Sequence, residues 1–135
     1  MIPAILAFIA EAELARGDVV PALGSIEDAS RRIEIYGERF YEAEVHRLRG
    51  EALLAGAAPD STLAESCFLR AIDVARHQQA RSFELRGTAS LARLWRHRGR
   101  GEDARRLLAE ATQWFSEGLE TSDLRAARHL LQELS

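Results

Sequence analysis

The residues best suited to chemistry lie between positions 91 and 111, in the run LARLWRHRGRGEDARRLLAEA. Gly99-Arg100-Gly101-Glu102-Asp103-Ala104 matches the pattern G-x-G-x-x-A. Such a loop cradles a pyrophosphate only when it joins a strand to a helix, because the amides must point at the phosphates. Here residues 91–98 carry helix-forming types, so the glycines are expected to make a turn between two helices. Arg93, Arg96, Arg98, Arg100, Arg105 and Arg106 surround Trp95, a combination that could serve nucleic acid. They straddle a helix end, a turn and a helix start, so they fan in several directions. We read them as a solvated, dipole-complementing surface. Trp95 and Trp114 fall at helical spacing with other apolar residues and are expected to pack.

The remaining reactive side chains do not converge. His46, His77, His97 and His129 lie in separate segments. Glu42 with His46 and Asp73 with His77 have the i,i+4 spacing of two metal ligands, but spacing supplies no third, so helix-surface pairs are expected. Cys67 is the single cysteine, which excludes an internal disulfide and a thiolate cluster. It precedes Phe68 on an inward-leaning face, as a small buried hydrophobe would. We find no grouping of nucleophile, base and acid, and expect no enzyme activity, cofactor or metal.

The bulk properties agree with a binding domain. The 135 residues suit one domain, and 47% hydrophobic with 29% charged residues describe a folded chain. The net charge of −3 argues against a dedicated nucleic-acid domain. All 18 basic residues are arginine. The lone thiol fits a reducing cytoplasm. The opening MIPAILAFIA is apolar but short, lacks a basic start and runs into Glu11 and Glu13. That predicts neither a signal peptide nor a membrane span.

The elements that must position these residues are helices in a repeat. Ala22-Ile26-Ala29, Ala64-Phe68-Ala71 and Ala104-Leu108-Ala111 share the spacing small, large four later, small three later, at offsets of 42 and 40 residues. Each set follows a Gly- or Pro-bearing turn, and each turn follows an amphipathic segment, at roughly 3–16, 40–55 and 82–98. Small residues let two antiparallel helices approach, and the large one fills the space between them. Such a pair cannot bury both faces, so pairs stack. Phe83, Gly87, Leu91, Leu94 and Trp95 follow a helical spacing, and across the last turn Ala104, Leu107, Leu108, Ala111 and Phe115 do the same. Gly118 is expected to end that helix, with Thr121 or Ser122 capping the next. Leu124, Ala127, Leu131 and Leu134 then form the apolar stripe of a terminal helix.

This pattern resembles the tetratricopeptide repeat. Leu91, Ala92, Trp95, Gly99, Ala104, Leu108 and Ala111 match in order; Gly50, Ala64, Phe68 and Ala71 match in the preceding unit. Ala10, Gly17, Ala22, Ile26 and Ala29 match in the first, where Glu13 replaces the aromatic. The resemblance implies an all-α, right-handed solenoid of three helix pairs, at about 3–36, 40–78 and 82–117, with a capping helix at about 122–134. Phe40-Tyr41-Glu42-Ala43-Glu44, His46 to Glu51, Cys67-Phe68, Ser90 to Trp95 and Trp114 to Gly118 further resemble the C-terminal repeats of large bacterial signalling proteins. In those, a nucleotide cyclase or a helix-turn-helix domain precedes a STAND-type ATPase and a helical tail. The chain carries none of the cyclase or ATPase motifs.

The resemblance implies a non-catalytic, cytoplasmic module for protein–protein interaction or regulation. The alternative is a repeat scaffold holding a small molecule or nucleic acid in its concave groove. The first helix of each pair would line that groove, presenting Glu44, Arg47, Glu51, Arg86, Ser90, Arg93 and His97 to a peptide. Glu51 stands where the two-carboxylate clamp of chaperone-binding relatives has a neutral amide. Ile2, Ile5, Leu6, Phe8 and Ile9 are apolar around much of the first helix, which predicts that another chain, or a second copy, covers it.

Overall fold

The computed structural model describes residues 2–113 and 122–134. They form seven helices: α1 Ile2–Ala15, α2 Val19–Tyr36, α3 Glu42–Ala55, α4 Ser61–His77, α5 Arg81–His97, α6 Gly101–Gln113 and α7 Ser122–Leu134. No strand occurs among the described residues, and no helix there is long and apolar enough to cross a membrane. The expectations for Trp114, Phe115, Gly118 and Thr121 lie outside the described residues.

The helix ends follow from local chemistry. Gly17, Gln79 and Gly99 adopt left-handed φ values of 81°, 55° and 78°. After each, the chain donates an N–H to a carbonyl five residues back: Asp18 to Glu13 at 2.8 Å, Ala80 to Ala75 at 2.9 Å and Arg100 to Trp95 at 2.8 Å. This closes orphan carbonyls at the end of α1, α4 and α5 with one shared geometry. Gly99 is therefore a helix C-terminal residue, and its neighbours offer no strand-to-helix phosphate loop. Asp60 caps α4 by accepting from the Leu63 amide at 3.0 Å.

The spaced triplets sit where helices cross. Ala22, Ile26, Ala29, Ala64, Phe68, Ala71, Ala104 and Leu108 are all essentially buried, and Ala111 is partly so. One apolar cluster joins Ala7 and Ala10 of α1, Ile26, Ala29 and Ile33 of α2, and Val45, Leu48 and Ala52 of α3. A second joins Ala64, Phe68 and Ile72 of α4 to Leu91 and Leu94 of α5, with Leu53 and Leu54 of α3 against it. A third joins Leu85, Ala89 and Ala92 of α5, Ala104 and Leu108 of α6, and Leu124, Ala127 and Leu130 of α7. Each cluster spans one helix pair and reaches a helix of a neighbouring pair. Burial of the large members contributes ~1.5–3 kcal/mol each.

Close approach is built in at two glycines. A Cβ on Gly50 would lie 2.5 Å from Phe68 Cε1, and one on Gly87 would lie 3.1 Å from Ile72 Cγ1. These set the α3–α4 and α4–α5 separations. Each odd-numbered helix touches the next odd one, α1 on α3, α3 on α5 and α5 on α7. The even helices touch only odd ones among the described residues. The result is two layers, with α1, α3, α5 and α7 side by side in one of them.

Candidate functional site

The odd-helix layer gathers most of the charged residues that the repeat spacing selects. Glu44 and Arg47 are three apart on α3, so they share a face. Both are buried, at 3% and 9% exposure. Arg47 donates through Nε to Glu44 Oε2 and through Nη2 to Glu11 Oε2 of α1 at 2.9 Å. Arg86 of α5 donates to the same Glu11 oxygen at 2.8 Å and pairs through Nη1 with Glu44 Oε1. Asp123 of α7 approaches Arg86 Nε at 3.7 Å. One ion-pair network therefore runs through all four odd helices. Burial works against the charge on Arg47, but Glu44, with Glu51 and Glu11 behind it, more than offsets that and raises its pKa.

This network changes what the predicted groove residues can do. Glu44, Arg47 and Arg86 are engaged with one another and with Glu11 and Asp123. A ligand would have to displace these bonds and leave a buried carboxylate unpaired, which costs ~3–5 kcal/mol. That part of the face fastens successive helix pairs. The remaining four predicted residues gather elsewhere on the same layer. Glu51, Ser90, Arg93 and His97 line a cleft of about 420 Å³, together with Leu54, Ser61, Leu94 and Arg98. Arg93 is exposed and has no ion-pair or hydrogen-bond partner among the described residues. Ser90 is 2% exposed, and its Oγ makes no hydrogen bond among the described residues.

The other arginines of the 91–111 stretch are committed to intramolecular pairs. Arg96 bonds Glu133 at 3.0 Å, Arg98 bonds Glu65 at 2.9 Å, and Arg100 bonds Asp103 at 3.0 Å. Arg105 donates to Glu102 and holds its carboxyl below the usual range. Trp95 donates Nε1–H to Glu65 at 3.1 Å, and the Arg100 guanidinium lies 4.3 Å from its ring centroid. A base-stacking role for Trp95 would first require these contacts to break.

The first helix presents a different surface. Ile2, Ile5, Phe8 and Ile9 are exposed, Phe8 to 58%, whereas Leu6 turns inward against Ile26 and its neighbours. The exposed apolar band is thus narrower than the sequence of the helix suggests. It is continued by aromatic rings from two other places in the chain. Phe8 meets Tyr41 edge-on at 5.9 Å between centroids, Tyr41 meets Phe40 at 5.3 Å, and Phe83 closes the group. Phe40 is 67% exposed.

The remaining titratable candidates are local. Cys67 is buried, and burial pushes its thiol pKa up, away from the reactive thiolate. His46 lies 3.8 Å from Glu42. Burial first, and then Arg49, hold its pKa below the ordinary value. His77 Nδ1 lies 3.5 Å from Asp73 Oδ1. Among the described residues no three His, Cys, Asp or Glu side chains gather as a metal site would require.

Sequence spacing missed Glu11, Asp123, Phe40 and Tyr41. Glu11 carried one available signal: it is an acid interrupting an otherwise apolar helix face. Glu44 and Arg86 lie on the first helices of consecutive pairs, so their adjacency was legible. Compared with known proteins, the chain matches no family model, no curated protein and no solved structure.

Proposed function

We propose that the chain is a non-catalytic module for protein–protein interaction. It is a tetratricopeptide-like, right-handed solenoid of three helix pairs with α7 as the cap, working as the cytoplasmic C-terminal tail of a bacterial signalling ATPase, cyclase or transcriptional regulator. The layered contacts and the buried Ala-large-Ala triplets support the solenoid. The observation that carries the interaction reading is the exposed apolar band of Ile2, Ile5, Phe8 and Ile9 continued by Phe40. The band is contiguous and lies on one helix face, the arrangement that a docking face needs.

The occupant we assign is a second copy of the chain. A two-fold axis across α1 sets the same band against itself, Phe8 and the isoleucines on both sides, with no charge to desolvate at the centre. Cross-linking tests this. In a Cys67→Ala background, Ile5→Cys should give a covalent dimer with a short bismaleimide, and Glu34→Cys on α2 should not. Equal cross-linking of the two, or none at Ile5→Cys, refutes the assignment.

A further inference from the structure

We propose that the cleft between α3 and α5 binds a small zwitterion, a free α-amino acid with an apolar side chain. Three features of its lining point there. The first is the Ser90 hydroxyl, 2% exposed and without a partner among the described residues. Buried hydroxyls are almost always bonded, so an orphan in the lining of a cleft is open to a partner from outside the chain. The second is the pair of uncompensated charges. Among the described residues Arg93 has no carboxylate within ion-pair distance. Glu51 supports the charge on Arg47 from afar but makes no ion pair or hydrogen bond of its own among the described residues. By contrast, Arg98, the cleft's other guanidinium, is held by Glu65 at 2.9 Å. The third is the apolar wall of Leu54 and Leu94, in a volume of about 420 Å³, within the range of small-molecule sites.

Each feature selects part of the ligand. Arg93 takes a carboxylate, its planar fork matching the two oxygens. Glu51 takes an ammonium group. Leu54 and Leu94 receive an aliphatic or aromatic side chain, and Ser90 adds a hydrogen bond once the ligand's polar end is seated. A simple anion would leave Glu51 unanswered, and a simple cation would leave Arg93 so. The interior of a peptide carries neither charge on its backbone. A molecule holding both charges a few bonds apart satisfies the cleft with no residual. The site is separate from the α1 band, so the proposal stands or falls independently of self-association.

Calorimetric titration of the full chain with L-leucine and L-phenylalanine tests it, with N-acetyl-L-leucine and L-leucinamide as probes lacking one charge each. Saturable binding of the free amino acids is expected, weakened about tenfold or more by loss of either charge. Arg93→Gln should abolish the preference for leucine over leucinamide, and Glu51→Gln the preference over N-acetyl-leucine. Ser90→Ala should weaken binding while leaving the melting temperature unchanged or raised, because it removes an unbonded buried hydroxyl. A purely structural serine would lower the melting temperature instead and leave binding alone. No saturable binding of any proteinogenic amino acid overturns the proposal. So does equal affinity for the singly charged probes, or tighter binding of a capped peptide with acidic and basic side chains.

Discussion

Replacing Gly50 by alanine and Gly24 by alanine should have opposite effects, although both glycines lie inside helices. An alanine in a helix interior is favoured over glycine by ~1 kcal/mol. At Gly24 a Cβ meets nothing within 4 Å, so the gain is realised. At Gly50 the same Cβ would lie 2.5, 2.8 and 3.0 Å from three atoms of the Phe68 ring. Ordinary contact needs a displacement of about 1 Å, and Phe68 is fully buried among Ala64, Ile72, Leu91 and Leu94. Overpacking of that kind costs ~1–3 kcal/mol, and a ring closed in on several sides places it in the upper half. Subtracting the propensity gain leaves a net loss of ~1–2 kcal/mol. At ~4 °C per kcal/mol for a chain of this size, Gly50→Ala should melt ~4–8 °C below wild type and Gly24→Ala up to ~4 °C above it. Circular dichroism melts and urea titrations measure both. Combining Gly50→Ala with Phe68→Leu should cost less than the sum of the single changes. Equal shifts for the two alanines, or strict additivity with Phe68→Leu, would refute the close approach of α3 and α4.

Two further perturbations probe the charged groups. Glu44→Ala leaves the part-buried Arg47 and Arg86 sharing the one carboxylate of Glu11 and should destabilise by ~3 kcal/mol in urea, whereas the double change Glu44→Leu with Arg47→Met should cost less than either single change; a double change as costly as the sum would contradict the network. His46 is held below its ordinary pKa of 6.5, chiefly by burial. The unfolded chain therefore binds the proton more readily, so stability is full above pH 6.5 and falls as pH drops below it. The urea midpoint of His46→Gln should fall less than wild type between neutral and mildly acidic pH, and parallel curves would contradict this assignment.

The all-helical architecture was legible because glycine, alanine and one large residue recur at positions where helices must cross. Ala64, Phe68 and Ala71 announce a crossing in any frame, and the bounds of α1, α3 and α5 fall within about two residues of the segments expected at 3–16, 40–55 and 82–98. The site was legible in part. The i,i+3 spacing of Glu44 and Arg47, and the place of Arg86 on the first helix of the next pair, put three charges on one face. Spacing is silent on whether such charges face solvent or each other. That depends on how far long side chains reach across neighbouring helices, and Arg86 reaches back 75 residues to Glu11. Leu6 and Phe8 show the same limit. In an apolar helix nearly every position is a candidate for burial, and only the placement of α2 and α3 decides that Leu6 turns in while Phe8 stays out. Phe40 and Tyr41 join the exposed band from an inter-pair connection, where no helical period applies.

The most direct measurement is sedimentation velocity of wild type and Phe8→Glu over a wide concentration range. Wild type should shift from monomer toward dimer as concentration rises. Phe8→Glu, which sets two like charges against each other across the two-fold axis, should sediment as a monomer throughout. A wild-type chain that stays monomeric at high concentration, or a Phe8→Glu variant that associates equally well, contradicts the proposed docking face.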